Sequence, residues 1–294
     1  MRVTPAEPNT GIVFVRRDVE SRYSEIEANW KNVSDTRLST TISNSVGVRV
    51  TTIEHLMAAL YASGIDNARI LLDGPEVPIM DGSSIPFVQL INQVGRRKQD
   101  VERHVVIIEQ AISVTEGEKS AGFLPSPVPW MDLVIDFEAS PIGRQTFSSP
   151  ITSDAFADEL APARTFGFKE QINTLHKLGL AQGGSLRNAV LIDNDQVVNE
   201  EGLRFHDEFV RHKMVDSIGD IALIGSRIIG QFTSVCSGHQ LNNALIHKLM
   251  ANEHAWQFVT MQEAMRYWKS ILQSPYNDSE LAEKIMEKFG LYPN

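Results

Sequence analysis

Apolar positions along the chain fall into short runs separated by Gly, Pro and polar residues, with only a few longer helical stripes. Residues 11–16 (GIVFVR) and 47–52 (GVRVTT) carry the β-branched alternation of strands. Ile53, Leu56, Met57, Leu60 and Tyr61 then recur at i, i+3, i+4, i+7 and i+8, a helical stripe that Gly64 is placed to close. ARILLDG reads as a strand, PEVPIMDGSS as a loop, and PFVQLINQVG as a short helix opened by Ser84 and Pro86. The charged stretch 95–103 (GRRKQDVER) has no apolar stripe and reads as a linker between domains. Strands are expected again at HVVIIEQAISV, GFLPS and WMDLVIDF, followed by a helix at EQINTLHKLG and strands at NAVLIDN and QVVN. A helix over 208–224, a strand at RIIGQFTSV and a helix over 239–250 complete the pattern, and from about Ala255 onward only helical patterns are read. Strands and helices mix without strict β-α-β alternation, so the expected class is α+β rather than a doubly wound sheet.

A chain of 294 residues suggests about two domains, and its 42% hydrophobic content suffices for packed cores. Asp and Glu outnumber Lys and Arg by 37 to 27, a net charge of −10 that disfavours a nucleic-acid partner. No apolar run approaches the ~18 residues of a transmembrane helix, and the stretch Ile218–Phe232 is broken by Asp220 and Arg227. The amino terminus has no apolar core of a secretion signal, and the single Cys236 excludes an internal disulfide framework or a Cys-based zinc cluster. A soluble protein of a reducing, cytoplasmic compartment is expected. Phosphate-loop, serine-elbow, HExxH and paired CxxC signatures are absent from the sequence. Chemistry must therefore come from dispersed His and acidic residues.

In DEFVRHKMVDSIGDIAL, a 100° step per residue puts Asp216 about 40° and Asp220 about 80° from His212. Val210, Met214, Val215, Ile218, Ile221 and Ala222 take the opposite arc. His and Asp four apart on one helix face can bind one divalent ion, and they equally form an ordinary surface pair. Thr51-x-x-Glu54 is a capping-box pattern, which would make Glu54 a helix cap; Glu54-His55 also fits a ligand beside a carboxylate base. His55 lies about 200° from Ile53, off the stripe, and must face solvent or another domain. His239, in SGH between a strand and a helix, suits acid–base work or merely starts a helix. Thr165 and Phe166 in ARTFGF form a fourth, weaker candidate. His104, His176, His206, His247 and His254 have no acidic partner at useful spacing and are read as structural or surface residues. HLM at His55 and HKM at His212 give the two halves a faint echo.

TTIEHLMAALYASGIDNARILLDGPEVPIMDGSSIPF, ARTFGF, the run from GLAQGGS to GLRFHDEFVRHKMVDSIGDIALIG, and SGHQLNN together resemble the UDP-3-O-acyl-N-acetylglucosamine deacetylase family of lipid A synthesis. The resemblance covers about residues 5–260 with the motifs in family order. It implies two similar α+β lobes, each a mostly antiparallel sheet with two helices, packed helix face to helix face. The first lobe falls at 1–97, the second at 104–260 with a β-α-β insert near 167–199, and a helical tail at 261–294. It implies Zn2+ (or Fe2+) held by His55, His212 and Asp216, with Glu54 as general base and His239 as general acid or electrostatic partner. Asp220 would orient His239, Thr165 would meet the developing oxyanion, and Lys213, Phe166 and Phe137 would contact substrate. Lys213 also fits on independent grounds, because a diphosphate needs a cation near the metal.

The implied substrate is UDP-3-O-acyl-N-acetylglucosamine, with Ile172, Leu175, Leu178, Leu180, Val190 and Leu191 of the insert lining an acyl passage. The expected molecule is a monomer with at most peripheral membrane contact. Three departures stand out. The family begins with a further strand and a GLHSG-like turn before PAxPNTGIVF, so the first lobe is expected to lack that edge strand. Arg187 and Gln171 stand where acidic residues are expected. The rival reading is a non-catalytic nucleotide-sugar-binding homologue, against which the intact set Glu54, His55, His212, Asp216 and His239 speaks.

Overall fold

The computed structural model describes residues 1–137, 140–177, 181–194 and 196–272. The first half runs β1 (Arg2–Pro5), β2 (Ile12–Arg16), β3 (Glu25–Glu27), β4 (Val33–Asp35), β5 (Thr41–Ser43), β6 (Arg49–Val50), α1 (Glu54–Ala62), β7 (Ala68–Leu72) and α2 (Ile85–Val94). The second half runs β8 (His104–Ile108), β9 (Ile112–Glu116), β10 (Lys119–Leu124), β11 (Trp130–Phe137), β12 (Gly143–Pro150) and the short α3 (Ser153–Ala155). Then come β13 (Phe166–Phe168), α4 (Lys169–Lys177), β14 (Val190–Asp193), β15 (Gln196–Val197) and α5 (Glu208–Ile221). It closes with β16 (Arg227–Ile229), β17 (Gln231–Val235), α6 (His239–Ala251), β18 (Trp256–Thr260) and α7 (Met261–Leu272).

The mixed α+β class holds, and the two halves repeat one plan. The first-half sheet has the order β1-β7-β2-β3, and the second has β10-β17-β11-β12 with β9 added outside β10. In each, a strand after the central helix (β7 directly after α1, β17 after α5 and β16) runs parallel to one neighbour (β7 to β2, β17 to β11), and the flanking pairs are antiparallel. α1 corresponds to α5 and α2 to α6, and α1 packs directly on α5. One hydrophobic core runs from Phe14 and Ile70 on the first sheet through Leu56, Met57, Val215 and Ile218 to Leu133 and Phe232 on the second. The faint HLM/HKM echo thus marks equivalent helices.

Both central helices are largely buried, although α5 carries His212, Asp216 and Asp220 among its buried residues. All nine residues of α1 are buried, and its end is closed as expected: Gly64 takes φ +74° and Ile65 N–H donates to Leu60 O at 3.0 Å. α5 reaches α1 at Gly219, where a Cβ would stand 2.1 Å from the Glu54 carbonyl oxygen. A side chain there would push the helices apart.

Several expected elements are revised. The strand over 47–52 is only the two-residue β6. RIIGQFTSV divides at Gly230 into β16 and β17, which belong to different sheets. A Cβ at Gly230 would meet Ile108 Cγ1 at 2.5 Å, so the chain changes sheet where only glycine fits. The helix over 208–224 ends at Ile221 and tightens into a 3₁₀ turn closed by Gly225 at φ +81°. The carboxy-terminal stretch contains a strand besides its helix: β18 pairs antiparallel with β8, and α7 seats Met261 and Ala264 on Val105, Ile107 and Ile229. The charged stretch 95–103 is fastened to the first half, with Arg96 donating to Ser63 O at 2.7 Å and Arg103 to Asp66 Oδ2 at 2.6 Å. At 166–193, β13, α4 and parallel β14 make the expected β-α-β unit.

Candidate metal centre and acid–base pair

α1 begins without a side-chain cap, so the capping-box reading of Glu54 fails. The Thr51 hydroxyl donates to Pro75 O instead, and Glu54 Oε2 accepts the backbone N–H of Thr40 at 3.0 Å. The Glu54 carboxylate is therefore drawn into the seam between α1 and α5, where burial pushes its pKa above the ordinary range.

The partner element for off-stripe His55 is α5. The His55 and His212 rings meet edge to face with centroids 4.8 Å apart. Asp216 Oδ1 lies 3.5 Å from His55 Nε2 and 3.3 Å from His212 Nε2, and Asp216 Oδ2 accepts from Lys213 Nζ at 2.9 Å. His212 Nδ1 is 3.0 Å from the Ala163 carbonyl, which only accepts, so Nδ1 carries the proton and Nε2 presents its lone pair. Burial works against charge on Asp216, yet the Lys213 ammonium beside it holds its carboxyl well below the usual range. Burial likewise opposes the Lys213 charge, but the Asp216 carboxylate raises its pKa.

Among the described residues, His55, His212 and Asp216 form one of two groups with metal-ligand donors clustered within 4.8 Å. Ligand atoms at ~2.0–2.1 Å around a tetrahedral ion stand about 3.4 Å apart. The distances from Asp216 to the two imidazoles, 3.3 and 3.5 Å, match that spacing. His55 Nδ1 is buried and has no partner among the described residues.

His239, the first residue of α6, faces the same seam. Its Nδ1 is 2.9 Å from Asp220 Oδ2 and 3.1 Å from Oδ1. Burial disfavours charge on the ring, but the adjacent Asp220 carboxylate more than offsets this and lifts the pKa to about 9. Glu54, Asp216 and His239 make up the second donor group.

Residues 1–251 match the profile of a family described as UDP-3-O-acyl N-acetylglycosamine deacetylase. The chain belongs to this family. It is 46% identical over 261 residues to a UDP-3-O-acyl-N-acetylglucosamine deacetylase of Phenylobacterium zucineum, covering 89% of each chain. A Myxococcus xanthus deacetylase of the same description is 46% identical over 88% of this chain and 82% of its own length. One from Haemophilus influenzae is 43% identical over 90% of this chain and 87% of its own. The family is one of metalloenzymes, and His55, His212 and Asp216 are candidate metal-binding residues of this chain.

The other residues marked by the deacetylase resemblance lie around this seam. Thr165 is held by its backbone, which donates to Gly82 O and accepts from Val190 N, both at 2.8 Å. Gly82, at φ +84°, must be glycine because a Cβ would stand 2.0 Å from Asn188 O. The preceding Arg164 is buried and bonds Glu208 Oε1 at 2.9 Å, which clamps the Ala163–Thr165 stretch against the first turn of α5. The Phe166 ring lies 6.4 Å from His212, 5.8 Å from Phe137 and 4.9 Å from Phe209, and Phe168 extends the cluster from Phe137.

Sequence reasoning missed Thr40, Asn242, Phe168 and Phe209. Asn242 is three residues beyond His239 on α6, so helical spacing points to it; its Nδ2 donates to Asp220 Oδ2 at 2.9 Å. Thr40 carries no local signal. Of the remaining histidines, His104 stacks on Phe258 and His247 meets Trp30 edge-on. His206 is an exposed side chain whose Nδ1 lies 3.6 Å from Oδ1 of its chain neighbour Asp207. No helix among the described residues is long and apolar enough to cross a membrane.

Proposed function

We propose that this chain removes the N-acetyl group of UDP-3-O-acyl-N-acetylglucosamine, releasing acetate and leaving the 2-amine, as a step of lipid A biosynthesis in the cytoplasm. The observation that carries the reading is the matched spacing of His55 Nε2, His212 Nε2 and Asp216 Oδ1 at the junction of α1 and α5. Those three residues would hold the ion, zinc on the preference of an N,N,O donor set and iron(II) as the other fit. Such an ion supplies Lewis acidity, making a water acidic enough to attack at neutral pH and polarising the acetyl carbonyl.

The rest of the reaction is assigned to side chains. Glu54 Oε2 is occupied by Thr40 N–H, which leaves Oε1 to take the proton of the attacking water. The amine is a poor leaving group and must be protonated as the C–N bond breaks. His239 supplies that proton from Nε2, since Nδ1 is turned to Asp220. Thr165 is assigned to meet the oxyanion, and Lys213 keeps Asp216 ionised. Phe166 and Phe137 offer an apolar surface beside His212 for the substrate.

The reading takes 1–97 and 104–260 as the two lobes, acting as a monomer. It takes the insert as the wall of the acyl passage, with burial worth about 0.8 kcal/mol per CH₂. Ile172 and Leu191 are partly exposed there, while Val190 is wholly buried. Leu178 and Leu180 lie outside the described residues, as does the side chain of Leu175.

The test is acetate release from the UDP-sugar with and without a chelator. Release that the chelator abolishes and added zinc restores is expected. Folded, metal-loaded protein that binds the UDP-sugar without releasing acetate would favour the binding-protein alternative.

A further inference from the structure

Thr40 is 2% exposed and stands immediately before β5. Its carbonyl accepts the Ile53 N–H at 3.4 Å, just ahead of α1, and three further contacts lead from it to side chains of the seam. Its N–H donates to Glu54 Oε2 at 3.0 Å, its hydroxyl donates to Asp220 Oδ1 at 2.5 Å, and the same oxygen lies 3.2 Å from His239 Nδ1. A threonine hydroxyl has one proton, and a carboxylate only accepts, so that proton is committed to Asp220. The lone pairs of Oγ1 then face His239. His239 Nδ1 is surrounded by three acceptor oxygens, Asp220 Oδ2 at 2.9 Å, Asp220 Oδ1 at 3.1 Å and Thr40 Oγ1 at 3.2 Å. Its proton is trapped among them, and Nε2 is the ring position left to work.

We propose that Thr40 is a positioning residue that couples the two proton-transfer groups. Through its amide it selects which Glu54 oxygen is free, and through its hydroxyl it fixes the Asp220–His239 pair. Asn242 holds the other oxygen of Asp220, but it lies on α6 and bonds Ser217 on α5, so it braces the second half alone. Thr40 belongs to the first half and reaches across. A residue that merely packed the seam would need its shape and not its hydroxyl, and valine has nearly that shape. The inference rests on the deacetylase reading for the reaction it serves, but not for the geometry.

The experiment compares metal-loaded wild type, Thr40→Val and Thr40→Ser. Acetate-release kinetics and metal content are measured, together with the low-field proton NMR signal of His239 Nδ1–H, assigned by its loss in His239→Gln. Thr40→Val should lower kcat roughly 10–100-fold with KM changed less than about twofold, at wild-type metal content. It should also move or broaden the His239 signal, and Thr40→Ser should recover most of the rate and the signal. The proposal is overturned if Thr40→Val keeps kcat within about twofold of wild type, if Thr40→Ser is as impaired as Thr40→Val, or if the His239 signal is unmoved in Thr40→Val. Should Thr40→Val not fold, Thr40→Ala carries the same expectations without adding an atom. Wild type that releases no acetate would sink the deacetylase reading alone, since the NMR comparison still decides whether Thr40 governs His239.

Discussion

α1 and α5 occupy equivalent places in a repeated plan, yet they carry very different loads. α1 is a nine-residue helix whose candidate site residues, Glu54 and His55, are confined to its first two positions. α5 has fourteen residues and carries His212, Lys213, Asp216 and Asp220 along one face. The connectors differ in the same sense. Between β17 and α6 only residues 236–238 intervene, so His239 is delivered straight into the seam. Between β7 and α2 the longer loop 73–84 turns its polar groups to support: Ser84 donates to the His55 carbonyl at 2.8 Å, and Asp81 pairs with Arg204 at 2.9 Å. One backbone plan thus serves two purposes, and the candidate donor group lies where α1 and α5 meet. Neither helix alone holds a complete donor set.

Breaking that division should produce graded effects. The largest is expected for His212→Ala or Asp216→Ala, which should empty the metal site and reduce acetate release to the chelator-treated background, read by elemental analysis beside kinetics. Glu54→Gln should lower kcat by about 10²–10⁴-fold with metal retained, since it removes a proton acceptor and no ligand. Loss of metal in that variant would contradict the assignment.

His239→Gln should reduce kcat within the same range and erase a pH effect. With the ring pKa at about 9, protonated His239 is present through neutrality and lost above that value, so wild-type kcat should fall on the basic side near pH 9. The stability sign follows from the same shift. The folded pKa is raised above the ordinary 6.5, so the ring's contribution is full below pH 6.5 and disappears as pH rises through about 9. The melting-temperature advantage of wild type over His239→Gln should shrink across that window.

Smaller effects probe the scaffold. Gly219→Ala places a methyl against the Glu54 carbonyl and should cost about 1–3 kcal/mol by chemical denaturation, with kcat lowered because Glu54 shifts. Ile172→Trp in the insert should raise KM several-fold for long-acyl substrates and spare short ones, since each CH₂ displaced from an apolar wall forfeits about 0.8 kcal/mol. An equal change for both substrates would mean that α4 only packs.

Helical periodicity made α5 legible, because His212, Asp216 and Asp220 share one face at fixed angles whatever covers them. It was silent about the cover, and both faces of α5 turned out to be buried because α1 lies on the polar one. Glu54 was open to two readings for a related reason: capping depends on backbone geometry at the helix start, and a long-range bond from Thr40 diverted the carboxylate. The resemblance supplied the convergence of the halves, which spacing within one segment cannot give. Thr40 stayed invisible because its side-chain partners in the seam are 14, 180 and 199 residues away. The strand β18 was missed in WQFVT even though its β-branched and aromatic content signals one, since neighbouring helical stripes dominated the reading. Gly230 was read as an interior strand residue where it marks a change of sheet.

The central claim is that one metal ion is shared between the two halves, and metal stoichiometry tests it most directly. Purified wild type, His55→Ala and His212→Ala, each loaded with zinc and desalted, are compared by elemental analysis with folding checked by circular dichroism. The account predicts about one ion per chain in wild type and near none in either variant, because a three-ligand site loses its hold when any ligand is removed. Full occupancy in folded His55→Ala would place the ion on the second half alone and contradict it.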